Sequence, residues 1–547
     1  MDDQPPAAAP EVAASPGGRA AVLAAPESRW RLAIATALAL AAGWAVYIHF
    51  ATDVVPFDDA YISFRYAEHL VSGRGLVYNI GERVFGSSTP LYVLWLAALR
   101  WLLPGDLATA AVRANAIGFA AAAFLAGRLA RRLTNAPWVG ATVTAALLVN
   151  PMLLAISTGG MESFWFLALA FAAVLVLIGE RPKPWLFGLL AGLAILTRAE
   201  GVLLAPIALV VLARRPRDLL RAAAGAALPL GAWALFSTLY YGSPIPQSVI
   251  AKATPIYLLP PTFTLEQIAG NLDTWISGDR FGVFAWRRWA IAALLAVATA
   301  ATVALPAARR RGAWIPAAML FGLVAIYGIA NTLYFEWYWP PVSVTLLLAS
   351  VVGLTVLGTE LRDRLRGLAG ERAARAVRLG GAATLVVWLA ALSLAPLRHY
   401  EQTAATPISY VHISPVRRRV LAYLAAGETL ARVAAPTDSV AAPEFGALGA
   451  TYPGRILDPC GLISREALPF LPIPREQQAR VGAGAISVDF VQATSPDWIV
   501  ALPIFTSASL RTSEWFNQHY RVEGTMPLPF VVWESEVLVI YRKRPPG

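Results

Sequence analysis

The sequence predicts an α-helical polytopic membrane protein of about 11–13 transmembrane helices, followed by a small α/β domain. Three observations predict it. Of 547 residues, 57% are hydrophobic and 14% charged, against about 45–50% and about 25% in soluble chains. Apolar runs near the length of about 20 residues that spans a bilayer core recur between residues 30 and 396. Beyond Pro396 the pattern changes to short apolar runs of strand type.

Taken in order, residues 1–28 are rich in Pro and Ala, have no periodicity and read as a disordered tail. The membrane core is expected over 29–396. Its twelve candidate spans lie at 31–50, 89–103, 107–127, 137–156, 164–179, 185–196, 202–213, 222–240, 289–307, 313–333, 341–358 and 381–396. Because more runs follow it, the first reads as a span and not a cleaved signal. Short loops between runs carry Arg181 and Lys183, then Arg214, Arg215, Arg217 and Arg221, then Arg309 to Arg311, then the arginines between 362 and 378. The net charge of +11 is therefore a topology signal, with these loops cytoplasmic, and calls for no nucleic acid. Residues 157–163, 197–201, 241–288, 334–339 and everything after 396 then fall on the extracytoplasmic face. Twelve full crossings would, however, bring the C-terminus back to the cytoplasm. The discrepancy is expected between 89 and 156, where Arg128, Arg131 and Arg132 favour the cytoplasm against the count.

The C-terminal domain is expected over 397–547, with an amphipathic helix at 414–432 and strands near 438–442, 497–502, 530–533 and 537–541. The single cysteine, Cys460, excludes an intramolecular disulfide, and five scattered histidines show no zinc spacing. Asp458-Pro459-Cys460-Gly461-Leu462 follows an expected strand and reads as a turn.

The segment after the first span carries the richest chemistry. On a helix, Asp58, Ile62, Arg65 and His69 form one stripe and Ala60, Phe64, Ala67 and Val71 an apolar one. Such a helix would lie along the membrane face. Asp58 and Asp59 also suit a helix N-terminus as caps. As hard oxygen donors they could hold a divalent cation, although nothing in the sequence requires a cofactor.

The run Asp58-Asp59-Ala60-Tyr61-Ile62-Ser63-Phe64-Arg65-Tyr66-Ala67, then Gly73-Arg74-Gly75-Leu76-Val77-Tyr78-Asn79 and Gly81-Glu82-Arg83-Val84, resembles the first outside loop of GT-C glycosyltransferases. It is most similar to the terminal β-(1→2)-arabinofuranosyltransferase group. Thr158-Gly159-Gly160-Met161-Glu162-Ser163, Thr197-Arg198-Ala199-Glu200-Gly201, Tyr240-Tyr241-Gly242-Ser243-Pro244-Ile245-Pro246 with Lys252, and Glu336-Trp337-Tyr338-Trp339-Pro340 are also similar to loop signatures of that group, in order along the chain. The resemblance implies a GT-C fold, a polyprenyl-phosphate sugar donor, arabinofuranose as the sugar of that group, and an acidic base in the first outside loop.

The residue types suit that chemistry. An acceptor hydroxyl needs a carboxylate to take its proton as it attacks, which Asp58 or Asp59 can do. A phosphate leaves without a general acid, so one base with inversion is enough, unlike the two carboxyls of inverting hydrolases. Arg65, Arg198 and Lys252 are the expected phosphate ligands. His69, Glu162, Glu200, Glu336, Trp337 and Tyr338 are the expected substrate contacts. Each has a plainer role beside this one: Arg198 with Glu200 as a buried pair, Glu162 at a helix start, Lys252 in a solvated loop, the 337–339 aromatics as an interfacial belt, and His69 as structure. Because Asp58 shares its stripe with Arg65 and His69, it is the expected base, with Asp59 supporting it.

The function expected is inverting transfer of a sugar from polyprenyl phosphate to a glycan, lipid or protein acceptor at the outer face of the cell membrane. The rival readings are a mannosyltransferase of the same class, a transporter or flippase of a lipid-linked sugar, and a glycan-binding protein with a decayed site. No matching pseudo-repeats of the transporter kind are visible.

Overall fold

A computed structural model describes residues 26–51, 55–277, 285–401, 415–480 and 485–545. Most of the expected tail lies outside the described residues. The helices of the membrane part are α1 (Pro26–Ala51), α2 (Asp58–Val71), α3 (Pro90–Leu102), α4 (Leu107–Thr134), α5 (Pro137–Leu148), α6 (Pro151–Ser157), α7 (Ser163–Leu177), α8 (Pro184–Thr197), α9 (Leu204–Leu212), α10 (Pro216–Tyr241), α11 (Gln247–Ala253), α12 (Phe263–Ser277), α13 (Ala285–Ala304), α14 (Pro306–Arg310), α15 (Ile315–Ala330) and α16 (Trp339–Glu401). Proline stands in the first turn of α3, α5, α6, α8, α10, α14 and α15, where its missing N–H is no loss. The basic stretch at 362–378, expected as a loop, is helical. There α16 breaks at Gly370, whose φ of 81° favours glycine.

Leu107–Thr134, Pro216–Tyr241 and Glu336–Leu368 are each long and apolar enough to cross a membrane. Pro137–Leu148 and Pro151–Ser157 qualify together as one span bent by 62°, and seven further apolar helices are shorter. Close helix packing relies on small residues, as between membrane helices generally. A Cβ on Gly188 of α8 would strike the Ala222 carbonyl of α10, and one on Gly225 would strike that of Trp185.

Hydrogen bonds fix which ends of the bundle lie together. At the upper end, where α2 lies, His49 Nε2 near the end of α1 meets Ser157 Oγ at 3.1 Å. Asn115 of α4 there donates to the Met161 carbonyl at 3.1 Å. At the lower end Arg132 of α4 reaches Glu180 and the Ile178 carbonyl, both at 3.3 Å, and Gly312 lies against Leu133 and Ile178. Arg132, the 178–183 loop and the 309–312 turn thus share one end. The expected span at 89–103 is corrected: α3 starts and finishes at the upper end. Tyr92 in its first turn donates to the Gly160 carbonyl at 2.7 Å, and Arg100 in its last turn pairs with Glu68 of α2 at 2.8 Å. Thirteen residues reach only about 20 Å, and both ends are tied to the same layer. With this run removed, eleven of the expected crossings remain, an odd number, which is the parity that the expected extracytoplasmic C-terminal domain requires.

Beyond α16 come α17 (Pro415–Val433), α18 (Gly446–Thr451), α19 (Val488–Thr494) and α20 (Glu514–His519), with β1 (Ser439–Ala441), β2 (Arg455–Leu457), β3 (Trp498–Ala501), β4 (Tyr520–Val532) and β5 (Ser535–Lys543). The sheet order is β2-β1-β3-β5-β4, parallel among the first three strands and antiparallel across the rest. The free edge of β2 is covered from the membrane part. Asn79 donates to the Ile456 carbonyl at 2.8 Å and accepts from the Ile456 N–H at 3.0 Å, which masks an edge otherwise open to pairing.

Where one buried and one open side were expected, α2 is enclosed between α3 and α18 and buried on nearly all sides. Glycines let α18 approach. A Cβ on Gly446 would strike the Asp58 backbone, and one on Gly449 the Tyr78 hydroxyl.

Candidate active site

A cavity of about 1010 Å³ opens between α2, the segment after α11, the turn into α16 and the C-terminal domain. Six expected site residues border it: Asp58, Asp59, Lys252, Glu336, Trp337 and Tyr338. Part of its lining is apolar, with Ile256, Leu258, Leu259, Phe263 and Leu333.

The two aspartates differ sharply. Both oxygens of Asp58 are engaged by the C-terminal domain, accepting from the Gly446 N–H at 3.0 Å and the Ala447 N–H at 2.9 Å. Asp58 is thus a cap, as one reading of the sequence had it, but for α18 and not for its own helix. Asp59 lies about 100° further round α2, is half-buried, and among the described residues no donor of the chain meets its carboxylate. Burial lifts the Asp59 carboxyl to about 6; Lys252 and Arg419 pull it back, while Glu444 and Glu162 add to the rise. Burial, then Glu444, push Asp58 up to about 7 against the pull of the Ala447 amide.

The stripe of Asp58, Arg65 and His69 exists, but it faces the C-terminal domain, and Arg65 does not touch Asp58 as expected. Its guanidinium donates to the carbonyls of Tyr78 at 2.9 Å, Gly449 at 2.5 Å, Tyr452 at 2.8 Å and Gly454 at 3.0 Å. With its donors spent on backbone, Arg65 is a clamp between loop and domain, which corrects its place among the phosphate ligands. His69 is buried, with Nδ1 2.9 Å from the Val77 carbonyl, and does not border the cavity.

Arg198 is corrected in the same way. It is 4% exposed and held by Glu162 at 2.6 Å and Glu200 at 2.7 Å, while Tyr327 of α15 donates to Glu200 at 2.7 Å. This paired cluster ties α7, α8 and α15 together. None of Glu162, Arg198 and Glu200 borders the cavity. The cluster supports the wall from behind, since the Arg198 guanidinium lies 5.0 Å from the Tyr338 ring.

Lys252 is exposed to the cavity and its Nζ stands 3.3 Å from the Tyr338 hydroxyl. Tyr338 first, and Asp59 after it, raise its pKa and keep it charged. Glu336 faces the same space; burial raises its carboxyl, and Arg417 and Arg419 pull it back. Trp337 stacks on Phe335 at 4.7 Å and meets Phe57 at 5.3 Å.

Sequence reasoning passed over the residues that the C-terminal domain brings: Arg417, Arg419, Glu444, Arg480 and Trp533 all line the cavity. Arg417 donates to the Ala155 carbonyl at 2.9 Å and to that of Thr158 at 2.6 Å, which binds α17 to the core. Arg419 donates to Glu444 at 2.6 Å. The arginine run at 417–419, at the head of an amphipathic helix just outside the membrane core, was the available signal. The turn after β2 behaves as expected: Asp58 apart, the other buried aspartate, Asp458, accepts from the amides of Cys460 at 2.7 Å, Leu462, and Ile463 at 3.1 Å. Gln247 of the core donates to its Gly461 carbonyl at 3.1 Å. No group of three or more His, Cys, Asp or Glu is arranged to hold a metal ion among the described residues.

No protein-family model matches the sequence, and no curated protein does. Solved structures match throughout the chain. One is ArnT from Cupriavidus metallidurans in the apo state, with a TM-score of 0.53 at 13% identity over 94% of this chain and 98% of that one. The same protein bound to undecaprenyl phosphate matches with a TM-score of 0.50, again at 13% identity, 94% and 98%. The apo oligosaccharyltransferase of Archaeoglobus fulgidus gives 0.46 at 14% identity over 86% and 69%. At such identities the likeness to ArnT is one of fold, and the chain has a GT-C type membrane fold with a small C-terminal sheet domain.

Proposed function

We propose that the chain is an inverting glycosyltransferase that moves a sugar from a polyprenyl-phosphate donor to a hydroxyl of an extracytoplasmic glycan, lipid or protein, with Asp59 as base. The observation that carries this is the Asp59 carboxylate, which no donor among the described residues meets, on a cavity that also holds Lys252 and has an apolar part to its lining. A further support is the fold shared with ArnT, one structure of which holds undecaprenyl phosphate.

In this reading the donor chain occupies the compartment around Leu258 and Leu333, and its phosphate meets Lys252, with Arg419 and Arg480 nearby on the domain side. The acceptor O–H gives its proton to Asp59 as its oxygen forms the new bond to the anomeric carbon on the face opposite the phosphate. The bond from that carbon to the phosphate oxygen breaks, and its electron pair leaves with polyprenyl phosphate. The growing charge on phosphate is held by cations already in position. A carboxyl titrating near 6 is ionised at neutral pH yet basic enough to accept the proton. Asp58 then serves as a positioning residue, fixing the first turn of α2 through the two amides of α18.

In this reading the arginine-bearing turns are cytoplasmic, and the cavity and the C-terminal domain face outward. Arabinofuranose as the sugar rests on the loop motifs. The purified protein in nanodiscs would be given radiolabelled polyprenyl-phosphate arabinofuranose, polyprenyl-phosphate mannose and nucleotide sugars with membrane extracts as acceptor. Transfer from a lipid-linked sugar is expected, and transfer from nucleotide sugars alone would refute the reading.

A further inference from the structure

The tip of the β4–β5 hairpin is unusual. Val532 pairs with Ser535, which leaves a two-residue turn of Trp533 and Glu534. Their φ angles are 46° and 62°, a type I′ geometry that favours Asn-Gly. A tryptophan there is strained, because its Cβ crowds the backbone in the left-handed region. Strain of this kind collects where a side chain is held for a task.

Two side chains hold Trp533 in place. The Arg419 guanidinium lies 4.6 Å from its ring centroid and is itself fixed by Glu444. Phe505 meets the indole edge-on, 6.2 Å away at 90°. The ring is half-buried and borders the cavity. Neither feature is needed to close the hairpin, which Asn-Gly would do with less strain.

We infer that Trp533 is the carbohydrate platform of the acceptor side: its indole stacks on the C–H face of a sugar ring, with Arg419 and Glu444 holding the indole in place. This inference rests on the glycosyl-transfer reading of the cavity and adds to it a class of acceptor, a sugar ring, and so a glycan or glycolipid in place of a bare lipid or polypeptide. Aromatic faces carry negative quadrupole charge and attract the electropositive C–H groups of a pyranose or furanose. Such a surface selects for a ring in the acceptor and gives no advantage to a simple alcohol.

The test uses the full chain in nanodiscs with methyl glycosides of arabinofuranose, mannopyranose and glucopyranose as probes. Saturation transfer from aromatic protons to the glycoside ring protons would be recorded for the wild type, Trp533→Asn and Trp533→Phe. Asn suits a left-handed turn, so that variant is expected to melt no lower than the wild type. At least one glycoside should receive saturation from the wild type, at least fivefold less from Trp533→Asn, and at least a third as much as wild type from Trp533→Phe. Undecaprenyl phosphate affinity should stay within twofold. Transfer that survives in Trp533→Asn, or none from the wild type, overturns the platform. Absence of undecaprenyl phosphate binding by the wild type refutes the donor reading instead, so the two failures are distinguishable.

Discussion

Replacing the two aspartates separately should split chemistry from assembly. Asp59→Asn removes the base and leaves the α18 cap untouched, so turnover is expected to fall about 10²–10⁴-fold, a barrier increase of about 3–5 kcal/mol, with unchanged melting and donor affinity. Asp58→Ala leaves the two N–H groups of Gly446 and Ala447 without acceptors, at about 1–3 kcal/mol each when a buried donor is orphaned. It also relieves the burial of a carboxyl pushed up to about 7. The sign of that second effect follows from linkage. Because the folded carboxyl titrates above its unfolded range of about 4, its ionisation takes stability away as pH rises towards 7. The deficit of Asp58→Ala should therefore be larger at pH 5 than at pH 8. The assays are initial rates with the lipid-linked donor and melting of the solubilised protein at both pH values. A wild-type acid limb near pH 6 is expected, where the Asp59 carboxyl takes up its proton. If Asp58→Ala abolished turnover at unaltered melting while Asp59→Asn kept most of its rate, the assignment of Asp59 as base would be refuted.

Arg65→Ala should lower melting, because four backbone carbonyls lose a charged donor and each such bond is worth about 1.5–3 kcal/mol. Undecaprenyl phosphate affinity of the folded protein, measured by titration, should stay as in the wild type; a tenfold loss would restore Arg65 to the phosphate site. Cys460, the sole thiol and a cavity residue, should react with a membrane-impermeant maleimide in intact cells, slowly at pH 7 because burial pushes its thiol up, and less again with undecaprenyl phosphate bound. Labelling confined to inverted vesicles would overturn the sidedness.

Most of the apolar helices, the strands β1, β3 and β5 and the helical stripe of α2 were legible because each is written in local periodicity, whereas β2 and the first ten residues of β4 fell outside the expected strands. Asp58, Ile62, Arg65 and His69 do share a face. What that face meets was not legible, since the partners of Asp58 and Arg65 lie between residues 446 and 454 and no local pattern encodes a contact over such a distance. Phosphate affinity was assigned to arginines by type alone, and Arg65 and Arg198 then proved to be consumed by carbonyls and carboxylates, the fate of a buried charge that must be paired. Asp59, Lys252, Glu336, Trp337 and Tyr338 drew notice because they stand between the apolar runs of the sequence, and all five border the cavity. Arg419 and Trp533 were missed because they sit in a helix and a hairpin whose own signals are those of ordinary structure. The short α3 was mistaken for a span because hydropathy registers apolar content without direction.

The bond between Asp58 and the amides of α18 joins residues 388 apart in the chain, and that separation has a meaning in time. A ribosome adding about 5–20 residues per second inserts α1 and exposes the Asp58 loop roughly 20–80 s before Gly446 is made. During that interval α2 has no second wall, Arg65 has no carbonyls from 449 to 454, and the cavity has no roof. The nascent protein therefore passes most of its synthesis as an inserted chain without a complete cavity, and prematurely terminated chains that reach the membrane never complete it.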